Sequence, residues 1–180
     1  MIKHMILFLL ASPLLLASDL TPEVQKVTLK ENYKPHIGIL SGFTEPEGNL
    51  DAHGSLVVET ALQPVIPFSA GLQFMLSEMD GENESKVERF GLLASASYNF
   101  GGSTPIIRHS YLMLSSGAIL DKLEGDDQFA LGIMPAVGFD QPIKAWSESE
   151  MTLGLRASYL FVTDARPDEL ALRAAVKYWY

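Results

Sequence analysis

The chain has 180 residues, no cysteine and a formal net charge of −9, and 47% of its residues are hydrophobic. The absence of cysteine excludes a disulfide scaffold, a thiolate metal site and a lipid-modified N-terminal cysteine. The acidic balance argues against a nucleic-acid partner. The length is that of one domain.

The first seventeen residues have the layout of a secretory signal peptide. A short basic head is followed by an apolar run over 5–16, and Ala17 and Ser18 close the segment. This run is shorter than the roughly 18 residues that a membrane-spanning helix requires. We therefore expect export. The expected division is a signal peptide (1–17), a short periplasmic tail (18–34) and a folded domain (35–180).

The rest of the chain alternates apolar with small or polar side chains, in segments separated by clusters of Gly, Pro, Asp, Asn and Glu. Period-two alternation predicts strands with two different faces, and the clusters predict turns. The fifth segment has apolar residues on both faces and cannot be oriented. In the sixth, Pro135 predicts a bulge or a weakened pairing. The eight segments are 36–44, 54–62, 68–77, 89–100, 109–120, 129–139, 151–162 and 170–180.

The chemistry of the two faces favours a membrane barrel over a soluble one. A soluble barrel would carry Lys, Glu and Thr outside and large apolar residues inside. Here the less apolar face is mostly Gly, Ser and Ala, which suits the narrow lumen of eight strands. Few charges on either face suit a wall surrounded by lipid. We predict an all-β, closed, antiparallel up-and-down eight-stranded transmembrane β-barrel, with a soluble periplasmic carrier barrel as an alternative.

The inward face carries a sparse set of charges, for which we predict a structural role. Glu59 paired with Arg156, Arg173 or Arg89 would avoid an unpaired charge in a poorly solvated core. The competing hypothesis is a narrow pore or a channel for small hydrophobic compounds, although eight strands leave little room for one. The candidates for lumen ion pairs are Glu59, Arg89, Arg156, Arg173 and Lys177.

Aromatic residues on the outward face concentrate at the strand ends. Rings prefer the two membrane interfaces, so this placement predicts aromatic girdles. One rim is expected to hold Phe43, Phe90, Phe129 and Phe161, and the other Phe68, Tyr98, Phe100, Phe139, Tyr178 and Tyr180.

Nearly all of the net negative charge of the connections lies in alternate ones. With the N-terminus inside, the outward connections 45–53, 78–88, 121–128 and 163–169 carry a net −12. The connections 63–67, 101–108 and 140–149 carry no net charge. This asymmetry supports the strand count. It also suggests the hypothesis that divalent cations bridge the loops to lipopolysaccharide phosphates.

The C-terminus carries the most specific resemblance to a known family. Arg173, Ala175, Tyr178 and Tyr180 stand at the polar, Gly, apolar and aromatic positions of a C-terminal assembly signal, with Ala in place of the usual Gly and Tyr in place of the commoner Phe. The chain resembles the small outer-membrane barrels of Gram-negative bacteria, which include the transmembrane domain of outer membrane protein A and the X- and W-type proteins. This resemblance covers about 35–180.

The resemblance implies a multi-pass barrel in the outer membrane with both termini periplasmic. The implied partners are outer-membrane lipid, lipopolysaccharide and the barrel assembly machinery. A monomer is expected, and the oligomeric state stays open. The leading hypothesis is a non-catalytic barrel with a structural or surface-interaction role, without cofactor or metal.

Two relatives of this size are lipid A enzymes, which leaves an alternative open. The pattern of the deacylase type is a His-x-Ser pair. In this chain Ser110 directly follows His109, near the expected periplasmic end. The palmitoyl-transfer type uses His, Asp and Ser at the outer rim, where this chain has Asp51, His53 and Ser55 at a different spacing. The alternative function is therefore an outer-leaflet lipid A acyl-modifying enzyme that uses His53 or His109.

Overall fold

The computed structural model describes residues 34–47, 51, 53–65, 67–80, 86–101, 104–123, 126–145, 149–163 and 167–180. Within these ranges the chain forms eight antiparallel strands that close into a barrel in sequence order. They are β1 (Lys34–Pro46), β2 (His53–Val65), β3 (Phe68–Asp80), β4 (Lys86–Asn99), β5 (Ser110–Leu123), β6 (Asp126–Ala145), β7 (Glu150–Val162) and β8 (Glu169–Trp179). The predicted signal peptide and nearly all of the predicted tail lie outside the described residues.

A single turn of helix, α1 (Pro105–Arg108), joins β4 to β5. Among the described residues, no helix is long and apolar enough to cross a membrane. We call the end of the barrel where β1 begins and β8 ends the lower end. The opposite end, where β1 ends and β8 begins, is the upper end.

The strands wind steeply around the barrel. When the register is followed from His36 across each successive strand pair, it returns to β1 at Pro46, close to the other end of the strand. A stagger of this size accompanies a strand tilt of about 40° in small closed barrels. The tilt places residues from distant parts of the chain at the same height in the lumen.

The predicted alternation is confirmed along the strands. On β1, Ile37 and Ile39 point outward and are exposed, whereas His36 and Leu40 point into the lumen and are buried. The orientation of β5, which the sequence left open, is now clear. Its inward residues include Tyr111, Met113 and Ile119, and its outward residues include Leu112, Leu114 and Leu120.

Pro135 interrupts the pairing of β6 with β7, as predicted. The paired positions stop at Ile133 and Phe161 and resume at Ala136 and Ser158, with the register unchanged. A proline has no N–H to donate, so a gap in the ladder follows. The register shift in this strand pair lies instead between Pro142 and Lys144.

Glycine makes room for the large inward residues of β5. Gly138 on β6 pairs directly with Tyr111, and a Cβ atom at this position would overlap the tyrosine ring. The ring cannot move freely, because its hydroxyl accepts a hydrogen bond of 2.8 Å from Arg156 Nε. Bulky and small residues therefore alternate across the lumen so that it is filled.

We expect Gly138→Ala to lower the free energy of unfolding by about 1–3 kcal/mol, because the tyrosine ring must leave its position. Urea unfolding from lipid vesicles measures this change. Gly54→Ala is the matched control, since a Cβ there would meet nothing within 4 Å. Equal stability of the two variants would show that the lumen is not tightly packed at Tyr111.

Candidate functional site

The first charged cluster of the lumen surrounds Glu59 in the lower half of the barrel. Glu59 Oε2 lies 2.7 Å from Arg156 Nη2, and Glu59 Oε1 lies 3.1 Å from Lys177 Nζ. Gln73 Nε2 donates to Glu59 Oε2 at 3.1 Å, and His36 Nε2 lies 3.4 Å from Oε1. All five side chains are buried. Glu59 thus joins groups from four strands.

Tyr111 and Asp140 complete this lower cluster. Lys177 Nζ forms an ion pair with Asp140 and lies 4.5 Å from the centre of the Tyr111 ring. The Tyr111 hydroxyl accepts hydrogen bonds from Arg156 Nε and Lys177 Nζ. Two carboxylates, Glu59 and Asp140, therefore face two cations, and the cluster is electroneutral. Balanced charge is what burial in a poorly solvated core demands.

The second charged cluster lies in the upper half around Arg89, which is 0% exposed. Arg89 binds Asp121 through two parallel contacts, Nε to Oδ1 at 2.8 Å and Nη2 to Oδ2 at 2.9 Å. Its Nη1 lies 2.9 Å from Glu169 Oε2 and donates to the Pro167 carbonyl at 3.1 Å. Arg173 Nη2 lies 4.0 Å from Glu169 Oε1. This cluster is electroneutral as well.

An apolar layer separates the two clusters. On β3, Met75 stands between Gln73 of the lower cluster and Ser77, which hydrogen-bonds Glu169 of the upper cluster. Arg173 crosses this layer and donates to Ser55 and Ser158, both at 2.9 Å. The layer contains Leu40, Val57, Met75, Leu93 and Met134, each at most 1% exposed.

The structure places all five predicted lumen charges inside the barrel. Of the three arginines considered as partners of Glu59, Arg156 contacts it, whereas Arg89 and Arg173 lie nearer Glu169. Three acidic lumen residues were wrongly assigned to the connections, because the strands extend beyond the predicted limits. They are Asp121, Asp140 and Glu169, which face inward at strand ends. The acidic excess of the upper connections is correspondingly smaller than predicted.

A signal for these three acids was present in the sequence. Asp121 lies two residues after the inward Ile119, Asp140 two after Gly138, and Glu169 two before Ala171. Extending the period-two pattern by one step at each strand end would have placed them inside. The predicted lumen set also contained four cations and a single acid. Because buried charges must be balanced, further carboxylates were to be expected inside the barrel.

The C-terminal residues lie on β8 and just beyond it. Arg173 and Ala175 are buried in the lumen, whereas Tyr178 and Tyr180 point outward with their rings edge-on at 5.0 Å. The Tyr180 N–H donates to the Pro35 carbonyl at 3.0 Å, which extends the contact between the two ends of the barrel wall. Their role as an assembly signal stays a prediction.

Most outward aromatic residues lie at the two rims, whereas Phe74, which is 45% exposed, lies in the middle of β3. The upper rim holds Phe43, Phe90, Phe129 and Phe161, and the lower rim holds Phe68, Tyr98, Phe139, Tyr178 and Tyr180. Phe43, at 75% exposure, is the most exposed large hydrophobic residue described. The expectation of an exposed ring is wrong for Phe100, which is 6% exposed. Phe100 follows the last residue of β4, where strand alternation ends, and its ring packs edge-on against Tyr98.

The residues considered for catalysis fall at both ends of the barrel. Ser55 is buried in the lumen and bound by Arg173, while Asp51 is exposed. His53 begins β2 at the upper end, and His109 lies in the turn before β5 at the lower end. Within the described ranges, no group of three His, Asp or Glu side chains could hold a metal ion.

Solved structures share this architecture. Neisserial surface protein A (NspA) is 15% identical, with a TM-score of 0.58 over 82% of this chain and 96% of that one. The chain has the fold of a small eight-stranded outer-membrane β-barrel. Ail, the attachment invasion locus protein of Yersinia pestis, is 10% identical, with a TM-score of 0.49 over 82% of this chain and 97% of that one. No protein-family model and no curated protein sequence matches the chain.

Proposed function

We propose that the protein is a non-catalytic outer-membrane barrel whose filled lumen serves stability and whose exposed surface serves a structural or interaction role. The observation that carries this proposal is the apolar layer between two electroneutral clusters. A pore would need a continuous polar and hydrated path. The buried layer through Leu40, Met75 and Leu93, with the hydrogen-bonded side chain of Arg173 filling the space across it, argues against such a path.

The outer wall supports a membrane location. Large apolar side chains such as Leu92, Leu131 and Leu172 are more than half exposed on the outward face. On a protein in water, a continuous belt of this kind would drive aggregation. Surrounded by lipid, the same belt is stable, and the rings at the two rims suit the interfaces.

The upper rim supports its assignment to the extracellular side. Beyond the apolar belt, four charged residues occupy neighbouring positions on the outward face of adjacent strands. In the strand register, Glu78 lies opposite Glu88, Glu88 opposite Lys122, and Lys122 opposite Asp127. Charged side chains in such a row belong at the water boundary. Periplasmic termini follow from this assignment, as do an outer-leaflet environment of lipopolysaccharide and insertion by the barrel assembly machinery.

Conductance measurements test the filled lumen. The purified barrel inserted into planar lipid bilayers is expected to give no steady current above the bare bilayer, while a general porin under the same salt conditions conducts. Insertion is verified by heat-modifiable migration of the reconstituted protein on gels. A stable ohmic current from the folded barrel would overturn the proposal in favour of a narrow pore.

Lipid A masses test the absence of catalysis. Cells with and without the protein are expected to give the same lipid A acylation pattern, because Ser55 is buried and bound by Arg173, whereas Asp51 is exposed. A change of one acyl chain that is lost in a His53→Gln or His109→Gln variant would establish the enzyme instead. Recovery of the protein in a soluble periplasmic fraction would support the carrier alternative.

A further inference from the structure

A blind cavity lies in the lower half of the lumen. Its volume is about 20 Å³, room for about one water molecule, and its lining includes Glu59 and Lys177. A wider mouth of about 280 Å³ lies at the lower end of the barrel. Asn99, Tyr111, Asp140 and Trp179 line both spaces. These four residues therefore form the neck between the cavity and the mouth.

Trp179 is held in this neck by His36. The two residues pair directly across the seam where β8 meets β1, and their ring centres are 4.1 Å apart with a 40° angle between the planes. On its other side, Trp179 Nε1 donates to Thr152 Oγ1 over 3.4 Å, which is a long hydrogen bond. The imidazole therefore supports one side of the indole.

His36 is only 5% exposed and sits at the edge of the charged cluster. Its Nε2 lies 3.4 Å from Glu59 Oε1, and its Nδ1 has no hydrogen-bond partner among the described residues. The charged and titratable groups around the cavity and mouth come from five other strands and from β1 itself. They are Glu59 on β2, Tyr111 on β5, Asp140 on β6, Glu150 and Arg156 on β7, Lys177 on β8, and Lys34 on β1, with Arg108 and His109 beside the mouth.

We propose that protonation of His36 releases Trp179 and opens the cavity to the mouth. A second proton would add a positive charge to a cluster that is already electroneutral. Glu59 cannot compensate fully, because it already binds Arg156 and Lys177. The new Nδ1–H would also be a buried donor without an acceptor, which is costly. Rotation of the His36 ring toward the hydrated mouth would place the added charge and the Nδ1–H near water. The same rotation would break the stack with Trp179.

This opening makes the cavity accessible from the mouth at low pH, and it does not create a channel through the barrel. The layer through Leu40, Met75 and Leu93 lies above the cavity, and Arg173, which crosses it, is held there by Ser55 and Ser158. What becomes accessible at low pH is a pocket of paired charges, reached from the mouth alone. With the lower end in the periplasm, the device would respond to periplasmic acidification.

Fluorescence quenching tests the device. The sequence has two tryptophans, so a Trp146→Phe background leaves Trp179 as the sole emitter. In phosphatidylcholine vesicles, the acrylamide quenching constant of Trp179 should rise about twofold from about pH 8 to about pH 5, the interval in which histidine changes its charge. His36→Gln should remove the rise, because Gln does not titrate. His53→Gln, at the opposite end of the barrel, should retain it.

Two outcomes would overturn the proposal: quenching that does not change with pH, or an equal rise in the His36→Gln variant. Heat-modifiable migration verifies that each variant is folded. If His36→Gln does not fold, NMR on the wild-type barrel decides the question. The indole N–H signal of Trp179 must then shift along the same titration curve as the His36 ring, and separate curves reject the coupling.

Discussion

Replacing Glu59 with Gln is expected to lower the free energy of unfolding by about 3–5 kcal/mol, as for other buried ion pairs that lose one partner. Gln keeps the shape of Glu and one acceptor oxygen, so packing is largely retained. The loss is electrostatic, because Arg156 would lose its carboxylate partner and Lys177 would keep only Asp140. Urea unfolding of both proteins in lipid vesicles, with the folded fraction read from gel migration, measures the difference in the free energy of unfolding.

Glu45→Gln is the matched control for this measurement. Glu45 lies on β1 with its side chain exposed on the outward face, opposite Leu170 of β8. Its neutralisation changes the formal charge of the protein by the same amount and should leave stability unchanged. Equal losses for the two variants would mean that total charge, rather than the buried cluster, governs the stability of the barrel.

The strand count and the outward wall were predictable from sequence for a physical reason. A wall facing lipid admits few polar side chains, so positions such as Ile39, Leu92 and Val176 keep a strict period of two. The lumen face obeys a weaker rule, since it only has to be filled and charge-balanced. On β5 both rules admit large apolar residues, which is why Tyr111 and Met113 gave no orientation in the sequence. The facing Gly138 settles it, because only the three-dimensional pairing shows which residue needs the space.

The candidate site was predictable only in part, because its partners lie far apart in the chain. Arg89 meets Asp121 across one strand pair and Glu169 across the lumen. The steep stagger of the strands decides which charges share a height, and that stagger is set by closure of the whole barrel. Alternation could therefore place Arg89 inside but could not choose its partner. The stacking of His36 on Trp179 likewise depends on the final seam between β1 and β8.

The Arg89 cluster predicts a second large effect and a rescue. Arg89→Met is expected to lower the free energy of unfolding by about 3–5 kcal/mol, because Asp121 and Glu169 lose their shared cation. Asp121→Asn alone should also destabilise, since it leaves an excess positive charge on Arg89. In the double variant, Glu169 and Arg173 remain as one pair with a separation of 4.0 Å, and the cluster is again electroneutral.

The double variant Arg89→Met, Asp121→Asn should therefore be more stable than Arg89→Met alone, with a coupling energy of about 0.5–3 kcal/mol in the double-mutant cycle. Urea unfolding of the four proteins in the same vesicles supplies the cycle. Strictly additive losses would contradict electroneutrality as the organising property of the lumen. Additivity would also mean that water screens Arg89 from Asp121. The upper lumen would then have to be hydrated, and the conductance measurement would become the deciding test between a filled barrel and a pore.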